Sequence, residues 1–237
     1  MPFAGHPTLG SCHAWLQSQA AGFVAPDELI QECAKGLIRI RKNDTRLAFA
    51  APSMTRSTPN PVLMTQVMAA LGLQAEQVLA AQLLDNGPIW LVLLLDSQDA
   101  VLQLEPDHTA LKALGQKVGI AHVDTGLKAP MLIARSNREA RAFSQGTAGN
   151  SGTEQHTGVT VRGFAAPVGV NEDPVTGSLN ASLAQWLMAD GLVSDNYIAT
   201  QGTRLGRHGQ VHISQDASAQ VWVGGDCVTC IDGSVIL

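Results

Sequence analysis

A chain of 237 residues that is 45% hydrophobic and 15% charged can bury a large core as one or two domains. Its 15 basic and 20 acidic residues leave a net charge of −5, which excludes the cationic footprint of a nucleic-acid or anionic-membrane binder. The longest apolar run, Ile89 to Leu95, is too short to span a bilayer, and no secretory pattern opens the chain, so the expected location is the cytoplasm.

In chain order, Met1 to Leu16 runs from a Gly5-containing turn into an amphipathic helix, with Leu9, Cys12 and Leu16 on one stripe and His6 at the mouth. Leu37 to Arg41 alternates as a half-buried strand does; Asn43-Asp44 marks a turn, and Arg46 to Ala50 is its hairpin partner. Pro59 to Leu71 begins with turn chemistry and continues as a helix whose stripe is Leu63, Val67, Ala70 and Leu71. After the turn Asn86-Gly87-Pro88, Leu91 to Leu95 reads as a buried strand, and Val101 to Leu114 as a loop with a short helix. Val118 to Val123 is the next strand. Residues 144–158 carry almost no large apolar side chain and predict a mobile surface loop. Thr160 to Phe164, Gly209 to Ile213 and Ala219 to Val223 complete the strands. A mixed α+β chain follows, with an N-terminal lobe over 1–105 and a C-terminal lobe over 106–237.

The most informative stretch is Glu172-Asp173-Pro174-Val175-Thr176-Gly177-Ser178, which leads into a helix with Leu179, Leu183, Trp186 and Leu187 on one stripe. Thr176 and Ser178 are candidate caps, and Asp190-Gly191 supplies the stop. The segment sets an acid beside a helix N-terminus, whose free N–H groups and dipole can hold an anion. Aligned with the start of the chain, Gly5 meets Gly177 and His6 meets Ser178, so two facing helix mouths would make a symmetric anion site. A chance likeness between two helix starts is the alternative.

Pro2-Phe3-Ala4-Gly5-His6-Pro7-Thr8 and Glu172 to Ser178 together resemble the phenazine-biosynthesis PhzF-like isomerases. Asp85-Asn86-Gly87-Pro88, Gln201-Gly202-Thr203-Arg204-Leu205-Gly206-Arg207 and Trp222-Val223-Gly224-Gly225 extend the likeness over nearly the whole chain. The resemblance implies a diaminopimelate epimerase-like fold: two pseudo-symmetric lobes, each a mostly antiparallel sheet wrapped around a central helix, with the active site between them. It implies a cofactor-independent isomerase that moves a proton on a small carboxylated substrate, with a homodimer as the expected assembly. It also implies several dozen residues ahead of the His6 motif, among them a glutamate that is the principal proton-transfer base. Met1 stands where the family often has Leu, so the expectation is a misassigned start or a truncated gene, and an incomplete enzyme. The alternative expectation is a non-catalytic ligand-binding remnant.

By position in these motifs, Asp173 and His6 are the expected catalytic residues. Asp173 would protonate or deprotonate carbon beside a developing enolate. His6 can act across neutral pH. A solvated acid and a histidine capping its own turn are the bland counterparts. Glu172 is read as structural or electrostatic. Gly5, Gly177, Ser178 and Thr176 are the expected substrate-binding groups, through backbone N–H groups and a hydroxyl. Arg207 would pair with a substrate carboxylate, or be an ordinary surface arginine. Asp85 and Asn86 would line the cleft or simply turn the chain. Related two-thiol racemases place a cysteine at each helix mouth; Ala4 and Thr176 hold those positions here. Cys227 and Cys230 form a C-x-x-C pair read as lying on strands with their side chains on opposite faces, so no metal and no cofactor is expected. The spacing of Gly202, Gly206 and Gly209 fits no dinucleotide fingerprint.

Overall fold

Strand β6 (Ile89–Leu95) shows how the architecture is built. Trp90, Val92 and Leu94 enter one apolar core, while Leu91, Leu93 and Leu95 enter a second on the other face. A strand buried on both faces needs an unbroken apolar run rather than alternation. The computed structural model describes residues 3–34, 36–43, 46–124 and 158–234. The expected loop at 144–158 therefore lies outside the described residues except for its last residue, which opens a strand.

Around β6 the other strands are β1 (Glu28–Cys33), β2 (Gly36–Asn43), β3 (Arg46–Ala50), β4 (Thr55–Ser57), β5 (Val78–Asp85), β7 (Lys117–Asp124), β8 (Gly158–Ala165), β9 (Val170–Asp173), β10 (Asn196–Gln201), β11 (Gly209–Gln215) and β12 (Val221–Asp226). They form one sheet in the order β1-β2-β3-β12-β11-β10-β8-β7-β6-β5-β4, with β9 paired to β8. All pairs are antiparallel except β10–β8 and β6–β7. A division near residue 105 falls between α3 (Gln98–Gln103) and α4 (His108–Leu114), and the sheet passes through it without a break from β6 to β7.

Helix α1 (Gly5–Gln17) packs on β3, and α5 (Gly177–Ala189) packs on β11, β12 and β5. β11 and β12 are neighbours, but β5 lies far from them in the sheet order, so the sheet curls around α5. This changes the reading of that helix: the expected stripe of Leu179, Leu183, Trp186 and Leu187 is buried, but so are Ser178, Asn180, Ala181, Ser182 and Ala184. Its polar residues bond inward, Ser182 Oγ to the Ser178 carbonyl at 3.1 Å and Asn180 Nδ2 to the Thr176 carbonyl at 2.9 Å. Glycines make the room. A methyl on Gly119 of β7 would lie 2.6 Å from Leu179 Cδ1.

On the opposite face lie α2 (Pro61–Leu71), α3 and α4, which close the second core with Val67, Leu71, Val101 and Leu111. The stretch from Val101 to Leu114 holds the expected loop and short helix, α4, preceded by the end of α3. β1, β4, β5, β9 and β10 have no counterpart in the sequence reading. β4 and β9 are only 3 and 4 residues long, and β1 alternates in burial while Leu29-Ile30-Gln31-Glu32 does not alternate in polarity.

Candidate functional site

Helices α2, α3 and α4 each carry a side-chain N-cap: Asn60 to the Val62 N–H, Ser97 to the Ala100 N–H, Asp107 to the Ala110 N–H. α1 and α5 have none. Their first intrahelical bonds are Thr8 N–H to the Ala4 carbonyl and Asn180 N–H to the Thr176 carbonyl, each 4 residues on. The N–H groups of Gly5 and His6 and of Gly177, Ser178 and Leu179 have no helical partner, as at every helix start, and among the described residues no side chain takes them up, whereas the Thr176 N–H ahead of α5 donates to Gln201 Oε1.

These two uncapped ends meet. A methyl on Gly5 would stand 3.0 Å from Gly177 Cα, and a methyl on Gly177 would stand 3.0 Å from Gly5 Cα. Gly5, His6 and Gly177 line a cleft of about 700 Å³ together with His13, His208, His212, Asp226 and the segment Cys227–Ile231. Among the cleft groups, burial and the Arg46 guanidinium lower the His212 pKa, with Asp226 opposing them. Burial, then Asp226, pushes the Cys227 thiol up. Both effects leave neutral side chains at physiological pH. Arg46 Nε donates to Asp226 Oδ1 at 3.3 Å.

Behind the mouth of α5 stands Asp173, half-buried at the end of β9. Its Oδ2 accepts a hydrogen bond from Thr176 Oγ1 at 2.9 Å. Thr176 occupies the N-cap position but spends its hydroxyl on Asp173, and Ser178 is buried with its Oγ accepting from Trp90 Nε1 at 3.2 Å. The expectation that either caps α5 is therefore corrected: both hydroxyls are committed elsewhere. Asn86 is buried and donates from Nδ2 to the Ser178 carbonyl at 2.8 Å, so it supports the first turn of α5 from below. Asp85 is exposed, and its Oδ1 accepts from the Gly87 N–H at 2.8 Å, a local turn.

Glu172 is not among the described residues that line the cleft. It receives Arg162 Nε at 3.0 Å and Arg162 Nη2 at 2.9 Å, in a pair whose side chains are 3% and 6% exposed. Arg162 also donates from Nη1 to the carbonyls of Val101 and Leu104. Arg207 is exposed and donates its backbone N–H to the Gly202 carbonyl at 3.0 Å; it is absent from the described cleft lining, where its neighbour His208 appears. Cys227 and Cys230 lie beyond the end of β12, not on a strand, so the opposite-face argument does not apply to them. Among the described residues no group of three or more His, Cys, Asp or Glu side chains is arranged to hold a metal ion.

Asn180 and Arg162 carry no local sequence signal of a role near the site, and Gln201 carries one. Gln201 was visible as the first residue of the Gln201-Gly202-Thr203-Arg204 motif, and that motif packs under the Asp173 loop. Gly202 holds φ +88°, and a methyl there would lie 2.6 Å from the Pro174 carbonyl oxygen; one on Gly209 would lie 2.2 Å from Val175 Cγ2. These glycines are what let the two motifs touch.

A family model described as phenazine biosynthesis-like protein, PhzC-PhzF, matches residues 1–233. The chain belongs to the PhzC-PhzF family. Among its relatives, antisense-enhancing sequence 1 of Schizosaccharomyces pombe is 29% identical over 98% of this chain and 75% of its own length. An uncharacterized isomerase of Pasteurella multocida is 23% identical over 96% of this chain and 68% of its own length. A PhzF-family phenazine biosynthesis protein of Bacillus anthracis superposes with a TM-score of 0.67 at 14% identity, covering 95% of this chain and 73% of that one. That last likeness shows the fold alone.

Proposed function

We propose that this PhzC-PhzF family member is an isomerase that moves a proton between carbons of a small carboxylated molecule. The observation that carries the reading is the meeting of two uncapped helix N-termini, at Gly5 and Gly177, in a cleft that His6 also lines. Free N–H groups and two helix dipoles at one point favour an anion there, first a carboxylate and then the enolate that forms when the neighbouring carbon loses its proton. Donors already in position stabilise that charge without reorganising.

His6, exposed at the second position of α1, gives or takes a proton at the mouth. Asp173 holds or moves the other proton at its carboxylate. Thiol chemistry contributes little: Ala4 and Thr176 stand at the helix mouths, and burial raises the Cys12 and Cys227 pKa values. The uncharacterized isomerase of Pasteurella multocida supports the reaction class by its name.

A ligand-binding protein without turnover is the second reading. It is favoured by Asp226, the carboxylate among the described lining residues, being held by Arg46 rather than free for proton transfer.

Solvent deuterium exchange separates the two. The protein is incubated in D₂O with a panel of small carboxylic acids, and loss of C–H signal is followed by proton NMR. Deuterium entering next to the carboxylate, and stopped by Asp173→Asn and by His6→Ala, is the expected result. Exchange that survives both substitutions sinks the residue assignment; binding of an acid without exchange leaves the second reading.

A further inference from the structure

We infer that Gln201, acting through Thr176, decides which oxygen of Asp173 handles protons; this rests on the proposed role of Asp173. Gln201 closes β10 and is 1% exposed. Its side-chain amide makes four hydrogen bonds, and two backbone partners orient it without ambiguity. The Thr176 N–H can only donate, so the Gln201 atom 3.1 Å away is Oε1. The Asp173 carbonyl can only accept, so the atom 2.8 Å away is Nε2. Oε1 also accepts from Asn180 Nδ2 at 2.8 Å.

The remaining Nε2 hydrogen of Gln201 goes to Thr176 Oγ1, 3.0 Å away. A hydroxyl carries one hydrogen, and among the described residues the acceptor in reach of this one is Asp173 Oδ2 at 2.9 Å. The chain of donors therefore runs one way, from Gln201 to Thr176 to Asp173. Oδ2 is held as an acceptor, while Oδ1 accepts no hydrogen bond among the described residues. Oδ1 is the oxygen left to take a proton from substrate carbon or return it, and Oδ2 keeps its bond to Thr176 in either state.

The space for this network is built into the strands. Gly163 of β8 lies opposite Asp173 in register, and a methyl there would stand 3.1 Å from Thr176 Oγ1 and 3.2 Å from Gln201 Nε2. A methyl on Gly209 of β11 would stand 2.7 Å from the Gln201 carbonyl oxygen. Gln201 and Thr176 are thus positioning residues that act through Asp173.

Neutron diffraction from crystals grown in D₂O at neutral pH reads the direction of the chain without any substrate. The expected map has a deuteron bonded to Thr176 Oγ1 and aimed at Asp173 Oδ2, and both Gln201 amide deuterons on the Thr176 and Asp173 side. A deuteron bonded to Asp173 Oδ2, or an inverted amide, overturns the inference. Kinetics on an acid that exchanges supply the second readout. Thr176→Val and Gln201→Glu should each lower kcat about 10²-fold with KM little changed, and Thr176→Ser, which restores the hydroxyl, should recover most of the loss seen in Thr176→Val. Equal losses from Thr176→Ser and Thr176→Val, or losses confined to KM, overturn the positioning role. An Asp173→Asn protein that exchanges at the parental rate instead refutes the acid/base assignment on which the inference rests.

Discussion

Gly5 and Gly177 touch backbone to backbone, with no space between the two helix mouths for a side chain on either. A methyl on Gly5 would meet Phe49 Cε1 at 2.9 Å as well as Gly177 Cα at 3.0 Å. Replacing a helical glycine by alanine ordinarily gains up to about 1 kcal/mol. Here the methyl meets backbone that cannot swing aside, and overpacking of that kind costs about 1–3 kcal/mol. Gly5→Ala should therefore lower stability in chemical denaturation and lower solvent exchange as the helix mouths part. Gly10 in the same helix has open space around a methyl, so Gly10→Ala should raise stability by about 0.5–1 kcal/mol. Equal effects at the two positions would show that the contact between α1 and α5 does not matter.

The pair Arg162–Glu172 ties β8, β9 and the segment ending α3 together out of reach of solvent. Removing one partner leaves a buried charge alone, at a cost of about 3–5 kcal/mol. Glu172→Gln and Arg162→Met should each show a loss of this size in urea unfolding. The double substitution Arg162→Met with Glu172→Leu should recover part of it, because two apolar groups leave no unpaired charge. A double variant as unstable as the sum of the single ones would mean that the pair contributes through packing rather than charge.

Gly163→Ala tests the packing around Asp173 without removing a polar group. The new methyl would crowd Thr176 Oγ1 at 3.1 Å and Gln201 Nε2 at 3.2 Å, both held by short hydrogen bonds. A displacement on the order of 1 Å at a reacting group costs about 10²-fold, so exchange should fall far more than stability does. Exchange at the parental rate would show that the network tolerates movement.

Tyr197 is the single tyrosine of the chain, and it is buried in the core around α5. Desolvation by burial holds its phenol protonated far above the usual value. In the unfolded chain the same group ionises near pH ~10, so above that pH the unfolded state binds fewer protons than the folded one. Its contribution to stability is complete below about pH 10 and is lost as pH rises above it. With one tyrosine the ultraviolet phenolate signal is unambiguous: it should appear together with loss of the folded circular dichroism signal, not before it. Phenolate forming in a still-folded protein at about pH 10 would refute the burial.

Particular residues mark how far the chain could be read. The hairpin of Leu37–Arg41 and Arg46–Ala50 was legible because its alternation and turn are local, and register pairs Asn43 with Arg46. The helix was legible over Pro59 to Leu71 from its turn chemistry and the spacing of Leu63, Val67, Ala70 and Leu71, and the structure starts it at Pro61, capped by Asn60. The likeness carried by Pro2 to Thr8 and by Glu172 to Ser178 led to the family. Arg162 read only as a polar residue in a strand, because its partner Glu172 and the carbonyls of Val101 and Leu104 come from other parts of the chain. Thr176 read as a helix cap, because Gln201, which redirects its hydroxyl, lies on a different strand.

The amino-acid sequence by itself determined the strongly patterned local elements and the family to which the chain belongs, since periodicity and turns act over a few residues. The tertiary structure alone decided that α5 is enclosed on every side, that Gly5 and Gly177 meet, and that Thr176 hands its hydrogen to Asp173. Those outcomes depend on close approach between segments distant in the chain, where a missing Cβ or one buried amide decides what fits, and no local pattern records that.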